Sequence, residues 1–302
     1  MDLIRIIDEK DQGTAVKNYL KKEFRMSGGL IRLLKEEGGL LLNDRVPYLS
    51  DKFVTGDRLS VSLQCAFGQS DLLPFDAPLS VLYEDPWMIA VDKPPDVLVH
   101  PVTYEENGTL ANMVRMHQIN KGEEYTIRPV SRLDRNTSGI VLFAKNSYIQ
   151  HILQLQGREG EFLKDYLALV TGTLDKRYGR ITNPIGRKTD SIVEHEVTDT
   201  GKEAITEYTV IKQYRDFALV KIRIFTGRTH QIRVHMSSIG YPVTGDNLYK
   251  DPHSMKVKRQ CLHAYQVQLI HPITREKIFI KSPLPKDIRN IIRLGINGSD
   301  FT

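Results

Sequence analysis

One acidic side chain stands out because of its sequence neighbours. Asp134 lies between Arg132 and Arg135, and nearby positive charge favours the ionised form of a carboxyl group. The Asn-Thr-Ser-Gly segment at 136–139 is typical of a turn, so Asp134 is expected on a loop. A buried strand is predicted to follow over 140–144, and loops at sheet ends commonly present reactive groups. A turn-forming Asp in a surface charge cluster explains the same pattern, and local composition alone favours that simpler interpretation.

A second segment with reactive side chains spans residues 226–236. Thr229 is expected to cap a helix that ends at Gly240. His230 and His235 are five residues apart, whereas a helical zinc pair needs a spacing of four, and no third ligand follows nearby. The spacing therefore predicts no metal site. The sequence also contains no Gly-x-Ser-x-Gly elbow and no glycine-rich nucleotide loop, which disfavours a serine hydrolase and a nucleotide-binding enzyme.

The third segment is a predicted strand over 163–170. Alternation places Lys164, Tyr166 and Ala168 on one face of that strand. A single strand tyrosine usually packs in the core, so its position alone does not indicate catalysis.

The elements that must position these residues are mostly strands. The runs 205–213 and 218–225 alternate around a turn and predict a hairpin, and a helix is predicted over 109–117. Since most predicted strands follow one another without crossover helices, we expect an α+β fold with a mixed, largely antiparallel sheet.

A glycine, two prolines and a lack of periodicity mark residues 68–78 as a linker. The predicted division is therefore a small domain over 1–67, the linker, and a larger domain over 79–302. In the small domain, Thr14 and Ser27 are expected to cap two short helices that precede the predicted strands.

Composition narrows the function classes. The 302 residues include 42 Lys+Arg and 37 Asp+Glu, a net charge of +5 that only weakly suggests an anionic partner. The two cysteines, Cys65 and Cys261, are too few for a disulfide framework or a structural zinc site. The charged N-terminus and the absence of an apolar run of about 18 residues predict a cytoplasmic protein without a membrane segment.

The small domain resembles the S4-type RNA-binding module in its order of two helices, a strand with an Asn-containing turn, and a Gly-Asp before the last strand. Ser27-Gly28-Gly29 stands where that family often has Ser-Arg, so the second helix carries fewer cations than usual. Its outward residues Arg32 and Lys35 are nevertheless candidates for RNA contact. The alternative is a small α+β cap that only braces the larger domain.

The larger domain resembles the RluA-type pseudouridine synthases through three motifs that occur in order. They are Ser-Arg-Leu-Asp-Arg-Asn-Thr-Ser-Gly at 131–139, Lys-x-Tyr-x-Ala-x-Val-x-Gly at 164–172, and Gly-Arg-Thr-His-Gln-Ile-Arg-Val-His at 227–235. Lys93-Pro94-Pro95 also fits the family. Ser131 stands where the family often has His, and Asp96 where Gly is common. The likeness spans roughly residues 79 to 285.

The resemblance implies an enzyme that isomerises uridine in RNA to pseudouridine without a cofactor or metal. On this analogy Asp134 is the catalytic carboxylate, acting by covalent attack or by assisting glycosidic cleavage. Arg233 would pair with Asp134 and aim it. Tyr166 would stack on the uracil and assist proton removal from C5.

A uridine within a helix must be flipped out to reach a loop carboxylate. The resemblance makes Arg132 the side chain that fills the vacated space. Lys93 and Arg228 are candidates for phosphate contact. The expected partner is RNA, with ribosomal RNA of the large subunit favoured and transfer RNA possible.

Two other function classes compete with this interpretation. One is a catalytically idle RNA-binding or ribosome-assembly protein, against which the joint presence of Asp134, Tyr166 and Arg233 argues. The other is a small-molecule hydrolase on an unrelated β fold, which the S4-like segment disfavours.

Overall fold

The computed structural model describes residues 2–64, 68, 70–102, 107–249, 251 and 257–296. Cys65 lies outside the described residues, and Cys261 is a buried free thiol. None of the helices in the described part of the chain is both long and apolar enough to cross a lipid bilayer.

The N-terminal unit is a three-stranded antiparallel sheet with two helices. Its elements are β1 (Asp2–Ile6), α1 (Val16–Lys22), α2 (Gly28–Glu36), β2 (Leu40–Leu42) and β3 (Arg58–Ser62). As predicted, the Ser27 hydroxyl accepts a hydrogen bond from the Leu30 amide at the start of α2. The prediction for Thr14 is wrong, because Ala15 precedes α1 and makes no side-chain cap.

The larger unit is built on a ten-stranded mixed sheet. Its strands are β4 (Ser80–Glu84), β5 (Met88–Lys93), β6 (Arg128–Pro129), β7 (Ser138–Ala144), β8 (Leu163–Thr171), β9 (Tyr178–Ile181), β12 (Thr206–Gln213), β13 (Phe217–Ile224), β14 (Leu262–Ile270) and β15 (Lys277–Lys281). A separate hairpin pairs β10 (Ile185–Arg187) with β11 (His195–Val197). The helices are α3 (Leu110–Asn120), α4 (Ser147–Glu159), α5 (Gln231–Ser238) and α6 (Lys286–Ile296).

The expected α+β class and largely antiparallel sheet are confirmed. The strand order is β4-β5-β7-β14-β8-β13-β12-β9, and β7 with β14 is the parallel pair among the described strands. That pair places the end of the Asp134 loop beside the start of β14. Gly139 allows the close approach: its φ is +111°, and a Cβ there would lie 2.3 Å from the carbonyl oxygen of Ala264.

The segment 68–78 contains no helix or strand among its described residues, and it is fixed against α3. The Phe75 amide donates to the Asn112 carbonyl at 3.1 Å, and the Asn112 side-chain amide donates to the Leu73 carbonyl at 2.7 Å. The division into an S4-like domain and a catalytic domain remains a prediction.

The apolar core of the N-terminal unit continues into the larger unit. Leu20 and Ile31 belong to the same buried cluster as Trp87 and Ile152. Arg25 and Glu159 also form an ion pair between the two units. Removing the N-terminal unit would therefore expose apolar surface of the larger one, so its function is better tested by point substitutions than by deletion.

Candidate active site

Three central strands bring the first two motifs together. The register aligns Gly139 of β7 with Ala264 of β14, and Ala264 with Tyr166 of β8. Since β7 follows the Asp134 loop directly, Tyr166 and that loop lie at the same part of the sheet. Leu133, next to Asp134, packs on the apolar cluster that contains Tyr166. The sheet thus brings the Asp134 loop and Tyr166 together, as the motifs suggested.

The third motif reaches the same place on α5. Ile232 and Met236 pack into the cluster that contains Tyr166, and this packing turns Arg233 toward the Asp134 loop. The predicted Thr229 cap is wrong by one residue. His230 occupies the N-cap position in the left-handed region, with φ of 55°, and provides no side-chain cap.

Arg233 joins two carboxylates. Its Nη1 donates to Asp134 Oδ2 at 3.1 Å, while Nε and Nη2 donate to the two oxygens of Asp246 at 2.6 and 2.9 Å. Burial lowers the pKa of Arg233, but Asp246 and Asp134 outweigh burial and raise this pKa above its ordinary value. Arg233 is therefore a permanent cation, held by Asp246 and aimed at Asp134.

Asp134 differs from Asp246 in its access to solvent. The Asp134 side chain is 26% exposed, whereas that of Asp246 is fully buried. Asp246 also accepts hydrogen bonds from the backbone amides of Leu248 and Tyr249. The charged pair Arg233–Asp246 is thus the fixed part of the site, and Asp134 keeps an open side that a substrate can reach.

Tyr166 is buried, with 5% of the residue exposed, and it is close enough to Asp134 to feel its charge. Burial raises the pKa of its phenol, and the charge of Asp134 raises it further. The phenol is therefore neutral at physiological pH, with an aromatic face for stacking and a hydroxyl for proton exchange.

The arginines beside Asp134 in the sequence are not its partners in the structure. Arg132 is exposed, and Arg135 lies 4.0 Å from Asp96. Asp96 adopts a φ of 63°, which explains physically why glycine suits this turn. Arg132 is therefore open to solvent, and Arg233 is the arginine that holds Asp134.

The expectation that Lys93 contacts phosphate is not supported by its position. Lys93 is fully buried, and its ammonium donates to the carbonyls of Pro94, Val97 and Arg135 at 2.7 to 2.9 Å. All three of its hydrogens are therefore used within the protein. Burial lowers the pKa of Lys93 to about 7. Lys93 thus holds the loop that follows Asp134 through the Arg135 carbonyl, and its contact with RNA stays a prediction.

Other predicted contact residues are accessible. Arg228 is half-buried, and its Nε donates to the Glu203 carbonyl at 2.8 Å, which fixes the stem of its side chain near α5. Arg32 is exposed and Lys35 half-buried on α2, where the ammonium of Lys35 lies 5.3 Å from the centre of the Tyr48 ring.

Two residues without a predicted role, His230 and Tyr249, lie close to Asp134 and Arg233. His230 Nε2 lies 4.0 Å from Asp134 Oδ2, and its Nδ1 is 2.8 Å from the Tyr249 hydroxyl. The Arg233 guanidinium lies 5.0 Å from the centre of the Tyr249 ring. His230 could have been suspected from its place in the third motif, but no local pattern marks Tyr249.

Buried histidines give the fold a pH dependence. Burial is the main cause that lowers the pKa of His230, His235 and His263. In the unfolded chain each would titrate at its ordinary pKa near 6.5. As the pH falls below 7, the unfolded state therefore binds more protons than the folded state does. The free energy of unfolding decreases as a result.

We expect the unfolding temperature to fall by several degrees between pH 7 and pH 5.5, as measured by thermal unfolding. A His235→Gln variant should show a shallower pH dependence over this window, because one of the three groups is removed. A stability that is constant or rises on acidification would contradict this assignment.

Comparisons with known proteins agree with the motifs. A family model described as RNA pseudouridylate synthase matches residues 88–238. An uncharacterised RNA pseudouridine synthase of Bacillus subtilis, YhcT, is 35% identical over 290 residues, covering 95% of each chain. Ribosomal large subunit pseudouridine synthase D of Haemophilus influenzae is 33% identical over 268 residues, covering 83% of this chain and 81% of its own.

A solved structure shows the same fold. Human RNA pseudouridylate synthase domain containing 1 superposes with a TM-score of 0.58 at 23% identity, covering 76% of this chain and 99% of the human chain. The family model ends at residue 238 and begins at residue 88, so the N-terminal unit lies outside the matched region.

Proposed function

Because the chain belongs to the RluA-type RNA pseudouridylate synthases, we propose that it isomerises uridines of large-subunit ribosomal RNA, with Asp134 as its catalytic carboxylate. The observation that carries the proposal is the ion pair between Asp134 and the buried Arg233, at 3.1 Å, on a carboxylate that still reaches solvent. The choice of ribosomal RNA is supported by relatives that are named for the large subunit.

The reaction needs no atom from outside. The bond from N1 of uracil to C1′ of ribose breaks, the base turns, and a bond from C5 to C1′ forms. The proton on C5 leaves to solvent, and N1 gains one. Asp134 acts on the flipped nucleotide while the glycosidic bond is broken, and Arg233 aims its carboxylate.

The flipped uridine would enter from the exposed side of Asp134. Arg132 is exposed and adjacent in sequence, so its guanidinium can occupy the space that the base leaves and bind phosphate at once. Arg228, anchored through Nε, keeps its terminal nitrogens for the RNA backbone.

Tyr166 would lie against the uracil. Because its phenol is neutral, it can accept the C5 proton only by passing its own proton on in the same step. Tyr166→Phe retains the ring and removes the hydroxyl. We expect tritium release from 5-tritiated uridine to slow by about 10²-fold, with RNA affinity unchanged. An unchanged rate would restrict Tyr166 to stacking.

The target class is tested by tritium release from 5-tritiated transcripts. We expect release from large-subunit ribosomal RNA and none from transfer RNA. Release from transfer RNA alone would move the proposed target to that class. Tight binding without release from any cellular RNA would instead support an RNA-binding protein that keeps the fold.

The N-terminal unit is proposed to add RNA affinity through α2. The double variant Arg32→Gln/Lys35→Gln should weaken RNA binding and lower the slope of log affinity against log salt by about 0.7 to 0.9 for each phosphate that the variant no longer neutralises. Lys277→Gln, which removes an exposed cation of β15, is the matched control and should leave the slope unchanged. Equal slopes for both variants would mean that the unit only braces the larger domain.

A further inference from the structure

Arg259 is a buried cation that connects three parts of the chain. It is 8% exposed and lies three residues before β14. Its Nε and Nη2 donate to the carboxylate of Asp287 at 2.7 and 3.1 Å, and its Nη1 donates to the carbonyl of Asn136 at 3.0 Å. Nη2 also lies 3.3 Å from the Ser138 hydroxyl. This guanidinium therefore links the C-terminal helix to the loop that presents Asp134.

The Asp134 loop depends on such contacts for its shape. Its own backbone provides one turn bond, from the Thr137 amide to the Asp134 carbonyl at 3.0 Å. The next two carbonyls, of Arg135 and Asn136, accept hydrogen bonds from Lys93 and Arg259. Two buried basic side chains thus hold successive peptide groups directly after the catalytic carboxylate.

Asp287, the partner of Arg259 on α6, is held in place by its own contacts. Asp287 lies in the first turn of α6, where a negative charge is favourable, and accepts a hydrogen bond from the Ile288 amide. Ile288 is buried against Leu169 and Phe217, and Ile291 packs on the same cluster. The apolar face of α6 therefore fixes Asp287, and Asp287 fixes the orientation of Arg259.

We propose that Arg259 and Asp287 form a positioning pair for catalysis, through which the C-terminal helix sets the place of Asp134. The proposal rests on the proposed function, in which Asp134 is the catalytic group. Neither Arg259 nor Asp287 would touch the reacting atoms. Their effect is geometric, because a displacement of about 1 Å of a catalytic group can cost on the order of 10²-fold in rate.

The pair predicts a loss of rate without a loss of RNA affinity. Asp287→Asn keeps the shape of the side chain but removes the charge that holds the guanidinium, so Arg259 gains freedom and the Asn136 carbonyl is held less firmly. We expect the single-turnover rate of tritium release to fall about 10-fold, with the dissociation constant for RNA unchanged. Asp287→Glu should restore most of the rate, because it restores the charge.

The test separates positioning from general destabilisation. The Asp287 side chain is 49% exposed, so Asp287→Asn should fold, and its unfolding temperature is measured beside its rate. Glu207→Gln is the matched control, because it breaks the ion pair between Arg180 and Glu207 on β9 and β12 and should leave the rate unchanged. The single-turnover rate of Arg259→Lys should be lower than that of Asp287→Asn. One ammonium cannot make all the hydrogen bonds that Arg259 makes to Asp287, Asn136 and Ser138.

Each outcome decides the proposal. A slower Asp287→Asn enzyme with wild-type affinity, and recovery in Asp287→Glu, supports it. Equal rates for Asp287→Asn and Glu207→Gln overturn it and leave the proposed function standing, provided that the wild-type protein releases tritium and Asp134→Asn does not. A wild-type protein that releases no tritium overturns both.

Discussion

Asp134→Asn is expected to abolish pseudouridine formation while the protein still folds and binds RNA. Asparagine has the size of aspartate and can accept a hydrogen bond from Arg233, but it is neutral and a far weaker nucleophile and base. Loss of the group that carries the chemistry costs on the order of 10³-fold or more in other enzymes. Single-turnover tritium release should therefore fall at least about 10³-fold.

The RNA affinity of this variant is the internal control. The dissociation constant should change little, because the phosphate contacts come from other residues. Asp96→Asn, which changes an exposed aspartate near the same loop, should retain the wild-type rate. An Asp134→Asn enzyme with a rate within a few-fold of wild type would contradict the assignment of Asp134.

Arg233→Lys has the second largest expected effect. One ammonium cannot replace the three hydrogen bonds that join Arg233 to Asp134 and Asp246. Because Asp246 is fully buried, the lysine ammonium of the variant should pair with Asp246. Asp134 would then have no cationic partner. We expect the single-turnover rate to fall about 10²-fold or more, with a lower unfolding temperature measured in parallel.

A matched substitution separates the catalytic loss from the loss of stability. Arg223 binds both oxygens of the buried Asp165, at 2.6 and 2.9 Å, on the opposite face of β8 from Tyr166. Asp165 also pairs with Lys221 at 2.9 Å, so Arg223→Lys should lower the unfolding temperature to a smaller extent and leave most of the rate. Similar rates for Arg233→Lys and Arg223→Lys would contradict the role of Arg233 in aiming Asp134.

Local periodicity predicted the strands well. The alternation over 163–170, 205–213 and 218–225 corresponds to β8, β12 and β13 within one residue at each end. Strand order could not be predicted in this way, because the parallel contact between Ser138 and His263 joins residues far apart in the sequence. The fold class followed from the absence of crossover helices, and the pairing required the tertiary structure.

The motifs predicted the residues of the site. They did not predict the contacts that hold the Asp134 loop in place. Sequence placed Asp134, Tyr166 and Arg233 in one site by resemblance, and the sheet and α5 bring their segments together. Lys93 was a candidate for phosphate contact through the resemblance, and its full burial could not be read from the sequence. Nothing local shows that the Arg135 carbonyl, 42 residues away, accepts a hydrogen bond from Lys93. In the same way, Arg259 reaches the Asn136 carbonyl across a separation of 123 residues.

The most direct test of the central claim is a map of pseudouridine across ribosomal and transfer RNA in cells that lack this protein and are complemented with the wild-type or the Asp134→Asn form. We predict that at least one uridine of large-subunit ribosomal RNA is modified with the wild-type protein and unmodified with Asp134→Asn, at equal protein levels. The same map from both forms would contradict the claim that the Asp134 carboxylate carries out the isomerisation.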